Sequence, residues 1–210
     1  VTERLRGAAG RRDGVLIASF DMALSLYNRS HQFAPWTDRL VDLATALEAS
    51  LIGNGDDNSS VLMRLRHRAA TLLVSDNDSN SAIHADVKLL YDLRSALVHG
   101  GDLTEKKLNK ILRGLSTVPD GTPSGVGSEL AVDRLRDIVR RSLLARTSLG
   151  SGESPLWPFD QQIDVDALLV DDATRVQWRE SWQNHVAELA GTSVPRRARR
   201  AVESLSTDDR

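Results

Sequence analysis

The stretch Leu89-Leu-Tyr-Asp-Leu-Arg-Ser-Ala-Leu-Val-His-Gly-Gly101 decides how the rest of the chain reads. Running back from it, Ile83, Val87, Leu90 and Leu97 recur at steps of four, three and seven residues, the apolar stripe of an amphipathic helix. Arg94 falls in the same phase. A guanidinium on a core-facing stripe must find a carboxylate or face an anion from outside, because an unpaired buried charge is costly. A local rule broken in this way points to function. His99 follows five residues later, about 140° further round the helix and roughly 7 to 8 Å along its axis. The long Arg side chain and the imidazole can therefore converge on one small group without touching. A His before Gly100-Gly101 is also how an ordinary helix ends, with glycine as left-handed cap and histidine at the favourable end of the dipole.

Outward from this motif, the chain reads as helices separated by polar breaks. Residues 1–12 are basic and glycine-dotted, a loose lead-in. From Asp13 to about His31, Val15, Leu16, Phe20, Ala23, Leu24 and Tyr27 keep a helical period. After Ala34-Pro-Trp-Thr-Asp38, with Thr37 or Asp38 as cap, a second helix carries Leu40, Leu43, Leu47 and Leu51. It stops at the loop Gly53-Asn-Gly-Asp-Asp-Asn58. Ser59 or Ser60 opens a third helix through Leu62, Leu65, Ala69, Leu72 and Leu73. The run Ser75-Asp-Asn-Asp-Ser-Asn-Ser81 imitates a calcium loop, but Ser81 stands where the turn glycine belongs and Val87 where the bidentate Glu belongs. It reads instead as a turn and a helix cap. The motif helix then runs to about Val98.

Thr104 begins a fifth helix through Leu108, Ile111 and Leu115, with Lys106, Lys107 and Lys110 on it. Pro119 to Gly127 reads as a flexible loop. Leu130, Leu135, Ile138, Val139 and Leu143 give a sixth helix, with Arg134, Arg136, Arg140 and Arg141 arrayed around it. Ser148 to Ser154 reads as a linker and Pro155-Leu-Trp-Pro-Phe159 as extended. Val165 to Val170 reads as a short strand or a docking segment. Arg175 to Leu189 forms a final helix whose Trp178 and Trp182, one turn apart, belong to a core or an interface. The fold class is thus all-α, a helical bundle over 13–147 with an additional C-terminal helical and extended segment over 148–192. A basic, polar tail follows over 193–210, opening with Pro195-Arg-Arg-Ala-Arg-Arg200.

At 210 residues, 40% hydrophobic and 27% charged, the chain has the composition of a globular domain long enough for one real core. The formal net charge of -2 gives no overall attraction to nucleic acid, so any RNA binding must come from a local patch. Cysteine is absent, which leaves no disulfide framework or thiolate zinc site and suits a reducing, cytoplasmic setting. No apolar run approaches the length of a membrane span. His31, His67, His84, His99 and His185 show no metal-ligand spacing, and no serine-hydrolase elbow occurs. Neither a metal nor another cofactor is expected. The chain opens on Val1 rather than Met, which fits a piece of a longer protein with an upstream domain or protein partner.

Three blocks stand in one order: Asp38-Arg-Leu-Val-Asp-Leu-Ala-Thr-Ala-Leu-Glu48, Leu65-Arg-His-Arg-Ala-Ala-Thr-Leu-Leu73, and Leu90-Tyr-Asp-Leu-Arg-Ser-Ala-Leu-Val-His-Gly100. In these blocks the chain resembles the HEPN superfamily, most closely its Apea-like branch. The resemblance covers about the first two thirds of the chain and fades after Gly114. Its most specific feature is an Arg, a polar residue, a short spacer and a His, here Arg94, Ser95 and His99. The resemblance implies a bundle that forms a homodimer and, where Arg and His are both kept, cuts RNA without metal, in a toxin or antiviral defence role. Arg94 and His99 are then the catalytic pair, supported by Ser95. Asp42 and Glu48 flank the stripe of the second helix, where one of them can orient Arg94. Lys106, Lys107 and Lys110 can steer phosphates, or form an ordinary solvated face.

If the resemblance holds, two protomers pack their motif helices together, and two-fold symmetry places two Arg94 and two His99 in one cleft. Histidine near neutrality can take the proton from a ribose 2'-hydroxyl or donate one to the 5'-oxygen that leaves. The Arg94 fork holds the phosphate and neutralises charge growing on it. The products are a 2',3'-cyclic phosphate and a 5'-hydroxyl, and DNA survives. The alternative is a non-catalytic dimerisation or nucleotide- and RNA-sensing module of a larger protein. A third reading is a scaffold that binds protein partners through the Trp pair and the tail.

Overall fold

In a computed structural model, the structure describes residues 19–52, 60–99, 103–159 and 163–192. Each regular element among them is a helix: α1 (Ser19–Arg29), α2 (Trp36–Leu51), α3 (Val61–Leu73), α4 (Asn80–Val98), α5 (Glu105–Arg113), α6 (Ser124–Gly150), α7 (Val165–Leu168) and α8 (Asp172–Thr192). The all-α reading holds, and no described helix is long and apolar enough to cross a membrane. The proposed lead-in, the turn at 53–59, Gly100-Gly101 and the basic tail lie outside the described residues.

The periodic leucines build the core. Leu40, Leu43, Leu47 and Leu51 of α2, Leu65, Leu72 and Leu73 of α3, and Ile83, Val87, Leu90 and Leu93 of α4 are buried together with Leu135, Ile138 and Val139 of α6. Helix α1 lies on α2, α3 pairs with α4, and the long α6 packs on α2 and α3. The C-terminal segment joins this same core. Trp157, Val165, Leu169, Trp178 and Trp182 are buried in it, and α8 rests on α6 and α3. The tryptophan pair is therefore a core feature, with the Trp182 indole N–H donating to the Leu72 carbonyl at 2.9 Å.

Local chemistry sets several boundaries. Ser79 caps α4 by accepting from the Ala82 N–H, and Thr104 caps α5 by accepting from Lys107, so both turns read as expected. Helix α2 instead starts at Trp36. Pro35 occupies the N-cap without a side-chain cap, and its carbonyl accepts from Asp38 and Arg39, so neither Thr37 nor Asp38 caps the helix. The fixed φ of proline already places the chain in the extended entry conformation that the Ncap position needs. Helix α6 runs from Ser124, so the glycine-rich 124–127 stretch is helical rather than a loop. Gly127 lets it lie close on α5, since a Cβ there would sit 3.0 Å from the Leu112 side chain. At its other end α6 continues to Gly150, taking in the first residues of the expected linker. Val165 to Val170 is a single helical turn and its exit rather than a strand, because Asp164 accepts from the Ala167 N–H and caps it.

A buried ionic cluster ties these helices together. Asp86 of α4 is 1% exposed and accepts from Arg134 Nε at 2.8 Å and from the Ser116 N–H at 2.9 Å. Arg134 also forks onto both oxygens of Asp78 at 2.8 and 2.9 Å. Arg141 joins Asp78 and donates to the Leu73 carbonyl. Burial raises the Asp78 carboxyl, but the hydrogen bonds and charges of Arg134 and Arg141 outweigh that and hold it below the ordinary carboxylate value. Asp78, one of the residues that imitated a calcium loop, thus spends its charge on two arginines. Another buried arginine, Arg68 of α3, holds Asp166 of α7 and the Leu51 carbonyl, pinning the C-terminal segment to the bundle.

One further buried arginine, Arg146, has no carboxylate partner among the described residues. Its Nη2 donates to the Pro158 carbonyl at 3.0 Å and its Nη1 to that of Trp157. The guanidinium lies 4.4 and 4.1 Å from the ring centroids of Trp157 and Phe159. Burial pushes it down to about 9. That value still lies above neutral pH, so Arg146 stays charged there, and its carbonyl and ring contacts fasten the strap after α6 onto the core.

Candidate functional site

Arg94 and His99 sit at the C-terminal end of α4. His99 is the C-cap residue, its backbone N–H donating to the Ser95 carbonyl at 3.0 Å, and its side chain is exposed. Val98 beside it is exposed as well. The helix therefore ends with an imidazole offered outward. Ser95 is half-buried and meets His99 through its own backbone oxygen.

Arg94 is half-buried rather than on the core stripe. The stripe of α4 runs Ile83, Asp86, Val87, Leu90 and Leu93, with Leu97 partly buried, so Arg94 borders it. Its guanidinium carbon stands 5.6 Å from the ring centroid of Tyr91, one turn earlier, within cation–π range. Burial raises the Tyr91 phenol, the charge of nearby Glu48 adds to the rise, and Arg94 acts in the opposite sense. Glu48 of α2 thus stands near the Tyr91 phenol and forms no ion pair with Arg94. Asp42 is engaged elsewhere, accepting from Arg29 Nε at 2.6 Å. Arg94 Nε is buried without a hydrogen-bond partner, and no carboxylate among the described residues forms an ion pair with Arg94. The guanidinium is therefore supported on one side by a ring and carries no carboxylate partner among the described residues.

Lys106, Lys107 and Lys110 are exposed on α5, whose opposite side buries Ile111 and Leu112. None of the three forms an ion pair among the described residues. Helix α5 contacts α4 and α6, which puts these lysines on the element that follows the motif in the chain. Among the described residues, no three His, Cys, Asp or Glu side chains group as a metal site.

Residue patterning left two features unread. Tyr91 and its link to Glu48 carry no signal at the level of periodicity. The Asp86 cluster does carry one: Asp86 stands three residues after Ile83 and four before Leu90, in the stripe's own phase. The rule that directed attention to Arg94 applies with more force to Asp86. Arg134 and Arg141 likewise occupy one phase of α6, seven residues apart.

Comparison with known proteins adds no family to this geometry, since no family model, curated protein or solved structure matches the chain.

Proposed function

We propose that the chain is a HEPN-type, metal-independent endoribonuclease, acting in the cytoplasm as a homodimer in a toxin or defence role. The observation that supports this reading most is Arg94, a half-buried guanidinium with an unpartnered buried Nε and no carboxylate among the described residues. Its charge is not spent on a carboxylate, so the exposed part of the guanidinium can take a phosphate, which makes an RNA backbone a fitting occupant. His99, exposed five residues on, is the proton carrier of the same site. It takes the 2'-hydroxyl proton as the oxygen attacks phosphorus, and His99 of the partner subunit donates to the 5'-oxygen as its bond to phosphorus breaks. Lys106, Lys107 and Lys110 raise the local concentration of the polyanion.

Incubation with mixed RNA in EDTA tests this directly. The wild-type protein is expected to leave 2',3'-cyclic phosphate and 5'-hydroxyl ends and to spare DNA. Folded Arg94→Ala and His99→Ala proteins are expected not to cut. A second reading has its own support: the His99 ring has no hydrogen-bond partner among the described residues to orient it. In that reading Arg94 grips a nucleotide or RNA phosphate in a sensing module of a larger protein, and RNA is bound in an Arg94-dependent way without being cut.

A further inference from the structure

A groove of about 640 Å3 opens between the loop after α3, helix α6 and helix α8. Arg140, Arg141 and Leu144 line it from α6, and Arg179, Trp182 and Val186 line it from α8. It adjoins the N-terminal end of α4, and the helix rise from Ser79 places Arg94 about 22 Å further along. The RNA chemistry proposed above makes no use of it.

The hydrogen-bonding capacity of the wall decides what the groove can hold. The carboxylates beside the groove are engaged: Asp78 accepts from Arg134 and Arg141, while Asp137 pairs with Arg140 at 2.7 Å and with Arg141 at 2.9 Å. The Leu73 carbonyl takes Arg141, that of Leu72 takes Trp182, and that of Val74 takes Gln183. Donors are left over. Arg140 commits only its Nη2 group, and among the described residues Arg179 has neither a hydrogen bond nor an ion pair. Asp76, exposed at the edge, is the carboxylate of the lining and offsets one of these two charges. A group that satisfies this wall must accept hydrogen bonds and carry negative charge.

We propose that this groove binds a small phosphomonoester on an aromatic or apolar body, a molecule of mononucleotide size. The phosphate takes the forks of Arg179 and Arg140, and the body lies along Leu144, Trp182 and Val186. The volume falls within the range of small-molecule sites, and a mixed apolar and cationic lining is how such sites fix one end of a ligand. Trp182 is 5% exposed, so it acts as a wall and not as a free stacking face.

Calorimetry on the whole chain, with AMP and phenyl phosphate as probes, tests the site. AMP is expected to bind, with adenosine and inorganic phosphate each at least tenfold weaker. Arg179→Gln and Arg140→Gln are each expected to weaken AMP by roughly tenfold or more, the loss of one charge-assisted fork. Neither variant should shift the melting temperature, since both side chains reach outward. Arg113→Gln on α5 should leave binding unchanged. Absence of binding by both probes at millimolar concentration overturns the proposal. So does AMP affinity unaltered in Arg179→Gln, or adenosine binding as tightly as AMP.

Discussion

Replacing Asp86 by alanine tests the buried cluster that positions α4. Asp86 is 1% exposed and accepts from Arg134, from the Ser116 N–H and from the Ser116 hydroxyl at 2.5 Å. Its loss strips the buried Arg134 of one partner and leaves the Ser116 amide unsatisfied. Breaking a buried pair from one side costs 3–5 kcal/mol. The lower end, about 3 kcal/mol, applies because Arg134 keeps both oxygens of Asp78. With a urea slope of about 2 kcal/mol/M, the unfolding midpoint should fall by about 1.5 M, followed by circular dichroism. The melting temperature should fall by roughly 6 to 12 °C. An Asp86→Asn variant should lose less, because its amide oxygen can still accept from the Ser116 N–H. A midpoint shift below about 0.5 M for Asp86→Ala, or an Asp86→Asn variant no better than the alanine one, would refute the argument.

Other consequences are as direct. Gly150→Ala should cost about 1 to 3 kcal/mol by overpacking, because the new methyl would meet Phe159 and stand 2.8 Å from Arg146 Nη1; a melting curve checks this, and an unchanged curve would mean that the strap yields freely. Asp166, lowered by its hydrogen bond from Arg68, and Asp78, lowered by its two arginines against the opposing effect of burial, both have folded values below their unfolded ones. The stability they lend is full above about pH 4 and is lost as pH falls through the folded values. Urea midpoints should therefore hold from neutrality to about pH 5 and drop below about pH 4, with a shallower drop in Asp166→Asn; an equally steep drop would count against Asp166. Tyr91→Leu should leave the fold intact and lower any Arg94-dependent RNA cleavage or binding, since it removes the ring under the guanidinium; unchanged activity would show that the ring is incidental.

Periodicity alone located the bundle, because each of α2, α3, α4 and α6 buries one leucine-rich face and the polar breaks between them carry caps such as Ser79 and Thr104. It misplaced boundaries where a neighbour decides. Residues 124–127 are helical because Gly127 packs on Leu112, and 165–168 turns because Asp164 caps it. Arg94 was legible as an unusual charge, but its depth was not. Leu93, its immediate neighbour, takes the core position, and a stripe drawn through Leu97 misses it by one residue. Of the two carboxylates expected to orient Arg94, Glu48 forms no ion pair with it, and Asp42 belongs to Arg29, a pairing across two helices that no spacing along the chain reveals.

The measurement that bears most directly on the central claim is RNA cleavage in EDTA by the wild-type protein beside folded Arg94→Ala and His99→Ala proteins. Cleavage by the wild type alone, with 2',3'-cyclic phosphate ends and intact DNA, is the predicted result. Cleavage that persists in His99→Ala, that appears only with magnesium, or that extends to DNA would contradict the mechanism. RNA bound through Arg94 but left uncut would select the sensing module instead.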